Sequence, residues 1–303
     1  RAYKINLPAL YLENIIRRGK ITYNIVVTTQ DQKEYNIELK GIISDVDINI
    51  LDKEIIEDVN FNLDYKDKVL EIKKLKVKYK KINFSSESIL ALIDKNLIKI
   101  KGDFKNKINN NLMHVFFDHD VKNYLNDKVT FPSKSLFEID ITKKFKVKNY
   151  KLETDIDIKN VKLNLKKLNL KSYIKNFYNE IFLINGKLNF IARNKNEINI
   201  NLNSNYLISE KTKSKKISFK YSKNNNLEKY ELNADLNESE IYIDTINFYK
   251  PQNEDLFLYF KATKDKNLYK INNFKLFNSD NKFIIKNFEF SNNLKIKNFE
   301  LVE

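Results

Sequence analysis

The two histidines are the residues of this chain whose chemistry most readily suggests a metal site. His114 and His119 lie close to Asp118 and Asp120 in a segment with helical spacing. Residues five positions apart on a helix point about 140° away from each other, so the two imidazoles would not reach the same ion. We therefore expect surface histidines and no bound metal.

Paired carboxylates are a second group with catalytic potential. Asp155 and Asp157, and likewise Glu238 and Glu240, are two residues apart in segments of strand-like alternation. Such pairs would lie on the polar face of a strand beside lysines, where cross-strand ion pairs are the ordinary role. The chain has no cysteine and none of the short motifs of hydrolases, metalloproteases or nucleotide-binding loops. The sequence predicts that the protein is not an enzyme and needs no cofactor.

The excess of basic residues suggests a surface for anions. The net charge is +15, and all but four of the 55 basic residues are lysines. In the segment 76–81, however, Tyr79 has the same parity as Val77, so it belongs to the apolar face and is not displayed with the lysines. We expect solvated lysines on the strands and no nucleic-acid partner.

Alternation of apolar and polar residues with a period of two dominates the chain and predicts one-sided strands. Such strands are typical of antiparallel meanders, with Asn, Asp, Ser and Lys in the turns because the chain has only four glycines and three prolines. Helical spacing predicts three short helices, at residues 8–18, 112–125 and 172–182. The fold class expected is mainly β, a long curved antiparallel sheet with an apolar inner face and a few short helices.

A seven-fold recurring motif carries the candidate site. Two apolar residues one apart are followed by two polar residues and two more apolar residues one apart. A β-bulge at each polar pair would keep all four apolar side chains on one face and bend the sheet. The pairs include Lys73-Lys74, Lys159-Asn160, Lys286-Asn287 and Lys297-Asn298. The apolar residues predicted to line a groove are Leu70, Ile72, Leu75, Val77, Ile156, Ile158, Val161, Leu163, Leu165, Leu168, Leu170, Ile241, Ile243, Ile246, Phe248, Tyr269, Ile271, Phe274, Leu276, Phe283, Ile285, Phe288, Phe290, Leu294, Ile296, Phe299 and Leu301.

Three of the glycines share a second pattern, in which Gly41, Gly102 and Gly186 each lie inside a strand-like segment. Glycine weakens a strand unless a bulge, a kink or a close approach requires the missing side chain. This pattern also predicts curvature.

The phrase LEIKKLKV, the C-terminal run from Tyr269 to Glu303 and the L-x-G-x-I strands resemble the AsmA-like superfamily, in particular the YhdP/TamB-type envelope proteins of Gram-negative bacteria. The resemblance implies a repeating, taco-like β-groove and a non-enzymatic role in moving phospholipid between the inner and outer membranes. It also implies a periplasmic location and an anchor in the inner membrane through a segment outside this chain. Phospholipid acyl chains and envelope or outer-membrane proteins are the partners it implies.

The sequence is compatible with more than one organisation of the chain. We expect residues 1–303 to form a single elongated β-groove segment of a larger protein, with a division into subdomains near residues 105–150 as the alternative. The apolar face could also be the core of a closed β-sandwich, in which case the protein would be a structural envelope scaffold that transports nothing.

Overall fold

The computed structural model describes residues 16–31, 34–50, 54–79, 82–94, 96–109, 125, 130–142, 146–166, 178–194, 196–209, 212–243, 248–279, 282–291, 296–298 and 300–302. Within these ranges the chain is almost entirely β-strand.

The chain divides into two compact units, and the first comprises residues 1–107 and 132–152. Its strands are β1 (Ile16–Asp31), β2 (Glu34–Ile50), β3 (Glu54–Lys66), β4 (Val69–Tyr79), β5 (Ile82–Ile93), β6 (Leu97–Asn109), β7 (Thr130–Thr142) and the first residues of β8 (Val147–Asn164). Strands β1 to β6 pair consecutively, each antiparallel to the one before it.

The second unit comprises residues 108–131 and 153–303. It contains the rest of β8 and the strands β9 (Glu180–Arg193), β10 (Glu197–Leu207), β11 (Lys215–Asn224), β12 (Leu227–Asp235), β13 (Ile241–Ile243), β14 (Phe248–Lys250), β15 (Phe257–Asp265), β16 (Leu268–Phe277), β17 (Lys282–Ser291), β18 (Ile296–Asn298) and β19 (Leu301–Val302). An antiparallel ladder runs from β9 through β12 to β15 and on to β17. Strands β13 and β14 form a separate hairpin between β12 and β15.

The tight turns use residues that tolerate a positive φ, as the scarcity of glycine predicts. Asp67 and Lys68, with φ of 50° and 66°, connect β3 to β4, and Asn225, with φ of 53°, connects β11 to β12. Two-residue turns with positive φ match the right-handed twist of the strands they join.

The predicted fold class, mainly β with long curved antiparallel sheets, is confirmed, but the prediction of a few short helices is wrong where the structure tests it. Ile16 to Arg18 belong to β1, and Glu180 to Phe182 belong to β9. Tyr178 and Asn179 lie in an irregular segment before β9, and Leu125 forms an isolated β-bridge with Leu163. The rest of the three predicted helices lies outside the described residues. Backbone pairing explains the errors at the tested positions, because a strand partner overrides the weak preference set by local spacing.

Candidate functional site

Bulges on three neighbouring strands shape the sheet of the first unit. Asp45 in β2, Asp58 in β3 and Lys74 in β4 have φ values of 52°, 54° and 53°. The pairing register shifts beside them, both between β2 and β3 and between β3 and β4. A bulge absorbs one extra residue, so the strand keeps the same face towards its apolar side on both sides of the bulge. The bulge predicted at Lys73-Lys74 is confirmed.

One continuous apolar face results from these bulges. Leu63 lies opposite Ile72 across β3 and β4, and Ile72 lies opposite Ile89 across β4 and β5. Beyond the bulge, Val77 lies opposite Phe84. Residues directly opposite each other in an antiparallel pair share a face, so these side chains form one apolar surface across three strands.

The polar side chains near the bulges form hydrogen bonds with one another. The Arg18 guanidinium donates hydrogen bonds to Asp47 and, at 3.0 Å, to Asp58, and the Asp58 backbone N–H donates to Asp47 Oδ1 at 3.1 Å. The hydrogen bond from Arg18 holds the pKa of the Asp47 carboxyl below its usual value. Because Arg18 is exposed, this network contributes little to stability and mainly fixes the local geometry.

A concave apolar cleft of about 580 Å³ opens on the apolar face of the first unit. Phe104 forms its centre, with ring centroids 5.7 Å from Phe84 and 5.9 Å from Phe137. Gly102 makes room for this packing, because a Cβ there would come within 3.1 Å of the Phe137 ring. The cleft is lined by Leu75, Val77, Phe84, Ile89, Phe104, Phe137, Ile139, Val147, Tyr150, Lys151 and Leu152.

The cleft contains only two of the predicted groove residues, Leu75 and Val77. Leu70 and Ile72 are half-buried further along the same strand. Sequence reasoning missed Phe84, Phe104 and Phe137, although the alternation of Phe137 with Ile139 identifies a strand. These three rings belong to different strands, so only the pairing of the sheet brings them together.

In the second unit, two copies of the motif pair with each other on β16 and β17. Tyr269 lies opposite Phe290, Ile271 opposite Phe288, Phe274 opposite Ile285, and Leu276 opposite Phe283. The Tyr269 and Phe290 rings stack with centroids 5.3 Å apart. Both strands bulge between the two apolar pairs: Asn287 has a φ of 50°, and the register of β16 against β15 shifts at Asn272. All eight side chains therefore share one face, as the motif predicts.

The burial pattern of β8 shows that its copy of the motif also keeps the apolar residues on one face. Ile156, Ile158 and Val161 are buried, while Lys159 and Asn160 between them are exposed. These three apolar residues pack in a cluster with Leu183 and Tyr206, and Leu163 packs against that cluster. The structure therefore places this copy of the motif in a packed core.

A second packed cluster lies under the β13–β14 hairpin. Ile241 is buried with Leu256 and Leu276, and Ile243, Phe248, Phe274 and Phe283 pack against them. The hairpin therefore covers part of the apolar face of β16 and β17.

Among the described residues, two further predicted groove residues belong to neither cluster and do not line the cleft. Leu165 is half-buried, and Ile296 is 61% exposed on β18. Leu301 lies in β19, whose side chains are not described, and Leu168, Leu170, Ile246, Leu294 and Phe299 lie outside the described residues.

Three of the four carboxylates with catalytic potential have structural partners. Glu238 is buried and not on a polar face as predicted, and it lies 3.9 Å from Lys215 Nζ. Asn189 donates to Asp155 Oδ1 at 2.9 Å, and Tyr249 donates to Glu240 at 3.4 Å. Lys78 pairs with Glu57 across strands at 2.8 Å. The described residues contain no cluster of three or more His, Asp or Glu side chains able to hold a metal ion. Both histidines lie outside the described residues.

Comparison of the chain with protein-family models, with curated proteins and with solved structures finds no match. In the described part of the chain, no helix has the length and apolar character needed to cross a membrane.

Proposed function

We propose that the chain is a non-enzymatic lipid-transfer module whose apolar face binds phospholipid acyl chains as they move between two membranes. Movement of this kind needs a continuous apolar surface and no bond-making chemistry. The cleft around Phe104 carries the proposal, because its lining is apolar apart from Lys151 and its volume is in the usual range for small-molecule sites.

The exposure of the same face at β1 supports the proposal. Tyr23, Ile25 and Val27 are 65%, 51% and 58% exposed, and they lie opposite Gly41, Leu39 and Ile37 of β2. Exposed apolar patches of this kind mark sites of interaction with a partner, a ligand or a membrane.

The cellular location, the anchor and the partners that we propose rest on the resemblance to AsmA-like proteins. The location is the periplasm of a Gram-negative bacterium, the anchor is an inner-membrane segment outside residues 1–303, and the partners are envelope or outer-membrane proteins. We propose no nucleic-acid partner and no enzymatic activity.

The packed clusters of the second unit favour a second candidate function, a structural envelope scaffold. Ile158 and Val161 are 6% and 3% exposed and pack as an ordinary core. In a scaffold the apolar faces would serve only to hold the fold together.

Native mass spectrometry of the purified protein separates the two functions. The variant Phe84→Asp puts a carboxylate on the wall of the cleft, where an unpaired charge is strongly disfavoured beside acyl chains. We expect bound phospholipid in the parent and at least about tenfold less in this variant. Ser85→Asp is the matched control, because Ser85 is the exposed neighbour on the opposite face of β5 and receives the same charge.

Circular dichroism and thermal melting of both variants establish that they are folded. A folded Phe84→Asp variant that retains phospholipid as the parent does would contradict the lipid-transfer function. A parent protein free of phospholipid would favour the scaffold.

A further inference from the structure

A lysine-rich cleft of about 580 Å³ lies at one end of the sheet of the second unit, where three hairpin turns come together. The turns join β9 to β10, β11 to β12 and β15 to β16. The cleft is lined by Lys223, Lys264, Lys266, Glu228, Asn196, Asn225 and Asn226.

The pairing of the strands places this cleft beside the aromatic side chains of the apolar face. Lys223 lies opposite Glu228, Glu228 opposite Lys264, Lys264 opposite Tyr269, and Tyr269 opposite Phe290. Directly opposite residues share a face, so the ammonium groups and the rings are neighbours on one surface. Lys264 Nζ lies 5.7 Å from the centre of the Tyr269 ring.

The charges in the cleft do not balance. Glu228 accepts hydrogen bonds from the Tyr230 hydroxyl and, at 3.4 Å, from Lys264 Nζ. Burial raises the pKa of Glu228, but the hydrogen bonds together with the positive charges of Lys264 and Lys223 outweigh burial and lower that pKa overall, so the carboxylate is charged. Among the described residues, neither Lys223 nor Lys266 has a carboxylate within ion-pair distance. Three lysines against one glutamate leave the cleft with a surplus of positive charge.

We propose that this cleft binds the phosphate-bearing headgroup of an anionic phospholipid, whose acyl chains lie on the adjoining row that contains Tyr269 and Phe290. The inference rests on the proposed lipid-transfer function and adds a class of substrate to it. Lysine ammonium groups suit a phosphate as point charges, and the turn asparagines add amide donors. A nucleic acid fits less well, because the Tyr269 and Phe290 rings stack on each other and no base can insert between them.

Binding to vesicles tests the inference on the full chain. The probes are vesicles of phosphatidylglycerol and phosphatidylcholine in equal parts, vesicles of phosphatidylcholine alone, and inorganic phosphate. The test variant is Lys223→Gln with Lys266→Gln. The matched control is Lys229→Gln with Lys261→Gln, which removes the same charge from exposed positions on the opposite face of β12 and β15.

We expect the test variant to bind the anionic vesicles about 25-fold more weakly than the parent, since each of the two lysines near an anionic surface accounts for about fivefold. The control should stay within about twofold, and binding to phosphatidylcholine should be unchanged in both. Equal losses in the two variants would overturn the inference, as would equal binding of the parent to both kinds of vesicle.

Two further outcomes would show that the ligand of the cleft is not a phospholipid. Inorganic phosphate that binds the parent as tightly as the anionic vesicles do, and is lost in the same variant, would replace the lipid by free phosphate. A loss of oligonucleotide binding in the test variant, with vesicle binding intact, would point to a nucleic acid and also overturn the inference. The lipid-transfer function itself is tested separately, by measuring how much phospholipid copurifies with the parent and with Phe84→Asp.

Discussion

At the scale of single residues, Lys250 shows what a buried charge does in this sheet. The side chain is only 2% exposed, and its Nζ donates to the carbonyl oxygens of Asn237 and Ser239, both at 2.8 Å. These bonds tie β14 to the loop that precedes β13. The hydrogen bonds of the Lys250 side chain therefore secure the hairpin that covers part of the apolar face.

Replacing Lys250 by Met should lower the free energy of unfolding by about 2–4 kcal/mol, because two carbonyl groups lose a charged donor while the volume is kept. Chemical denaturation measures the loss. Lys261→Met, at an exposed position, is the control and should change stability by no more than about 0.5 kcal/mol.

The pH dependence of this residue has a definite sign. Burial lowers the pKa of Lys250 below its usual value of 10.5. The unfolded chain then binds more protons between the two pKa values, so this group's contribution to stability rises as pH rises through that window. The difference between parent and Lys250→Met should follow this trend between neutral pH and about pH 10.5. A difference that is flat with pH would show that the lysine titrates normally.

Gly186 illustrates a close approach in the second unit. A Cβ at this position would lie 2.5 Å from Ser204 Oγ, and the single hydrogen of that hydroxyl lies within reach of the carbonyl oxygens of both Ile184 and Asn205. Gly186→Ala should therefore destabilise the protein by about 1–3 kcal/mol in thermal or chemical denaturation. Gly41→Ala should cost less, because its nearest atom would be 3.3 Å away. Similar losses at both glycines would reject the steric explanation.

At the scale of the element, the bulge of β16 lies directly opposite the bulge of β17. Asn272 and Asn287 fall between the same two pairs, Ile271 with Phe288 and Asn273 with Lys286, so the extra residue of one strand faces that of the other. Because the two extra residues lie opposite each other, the residues on either side of them stay in register. Removing only one of the two would shift the register, whereas removing both would keep it.

Deleting Asn287 alone should shift half of β17 by one residue against β16 and misalign Ile285 with Phe274. We expect a loss of several kcal/mol, at about 1.5–3 kcal/mol for each large apolar side chain displaced. Deleting Asn272 and Asn287 together should restore the pairing and recover much of that loss. A double-mutant cycle by denaturation tests this, and additive losses would show that the bulges are independent.

The motif spacing shows how far the sequence alone predicts these elements. It identifies the bulges at Lys74 and Asn287, because polar pairs between apolar pairs have few other solutions. A shorter form of the motif, with one apolar residue before the polar pair, occurs at Ile43–Ile48 and at Ile56–Phe61, where Asp45 and Asp58 form bulges that sequence reasoning missed. A rule that accepts this shorter form would find both bulges.

The errors and omissions have a common physical origin in long-range pairing. Phe182 belongs to a segment with helical spacing, but it pairs with Leu207 in the β9–β10 ladder. Phe104 and Phe137 meet across 33 positions of sequence. The spacing of apolar residues along the chain does not indicate which distant residues pair, so the cleft could not be predicted from the sequence alone.

At the scale of the whole molecule, the two compact units are interleaved along the chain. The first unit needs residues 132–152, which follow residues 108–131 of the second. Residues 132–152 carry Phe137 and Ile139, and both line the cleft of the first unit. A cut after residue 107 therefore removes part of that unit's apolar packing.

A fragment of residues 1–152 should accordingly be more stable than a fragment of residues 1–107. Phe104 keeps its contact with Phe137 of β7 only in the longer one. The longer fragment should melt cooperatively, while the shorter one should bind a hydrophobic dye. Circular dichroism melting and dye fluorescence compare the two. Equal cooperativity in both would show that residues 132–152 are dispensable for the first unit.

The interleaving also has a consequence for how the protein is made. Strands β1 to β6 leave the ribosome before the 45 residues from 108 to 152, and the first unit cannot be completed until the last of these has emerged. At the usual rate of about 5–20 residues per second, that interval lasts about 2–9 seconds. During it the apolar face around Phe104 lacks its final strands, so a chaperone that shields nascent chains has a defined segment and a defined time in which to act.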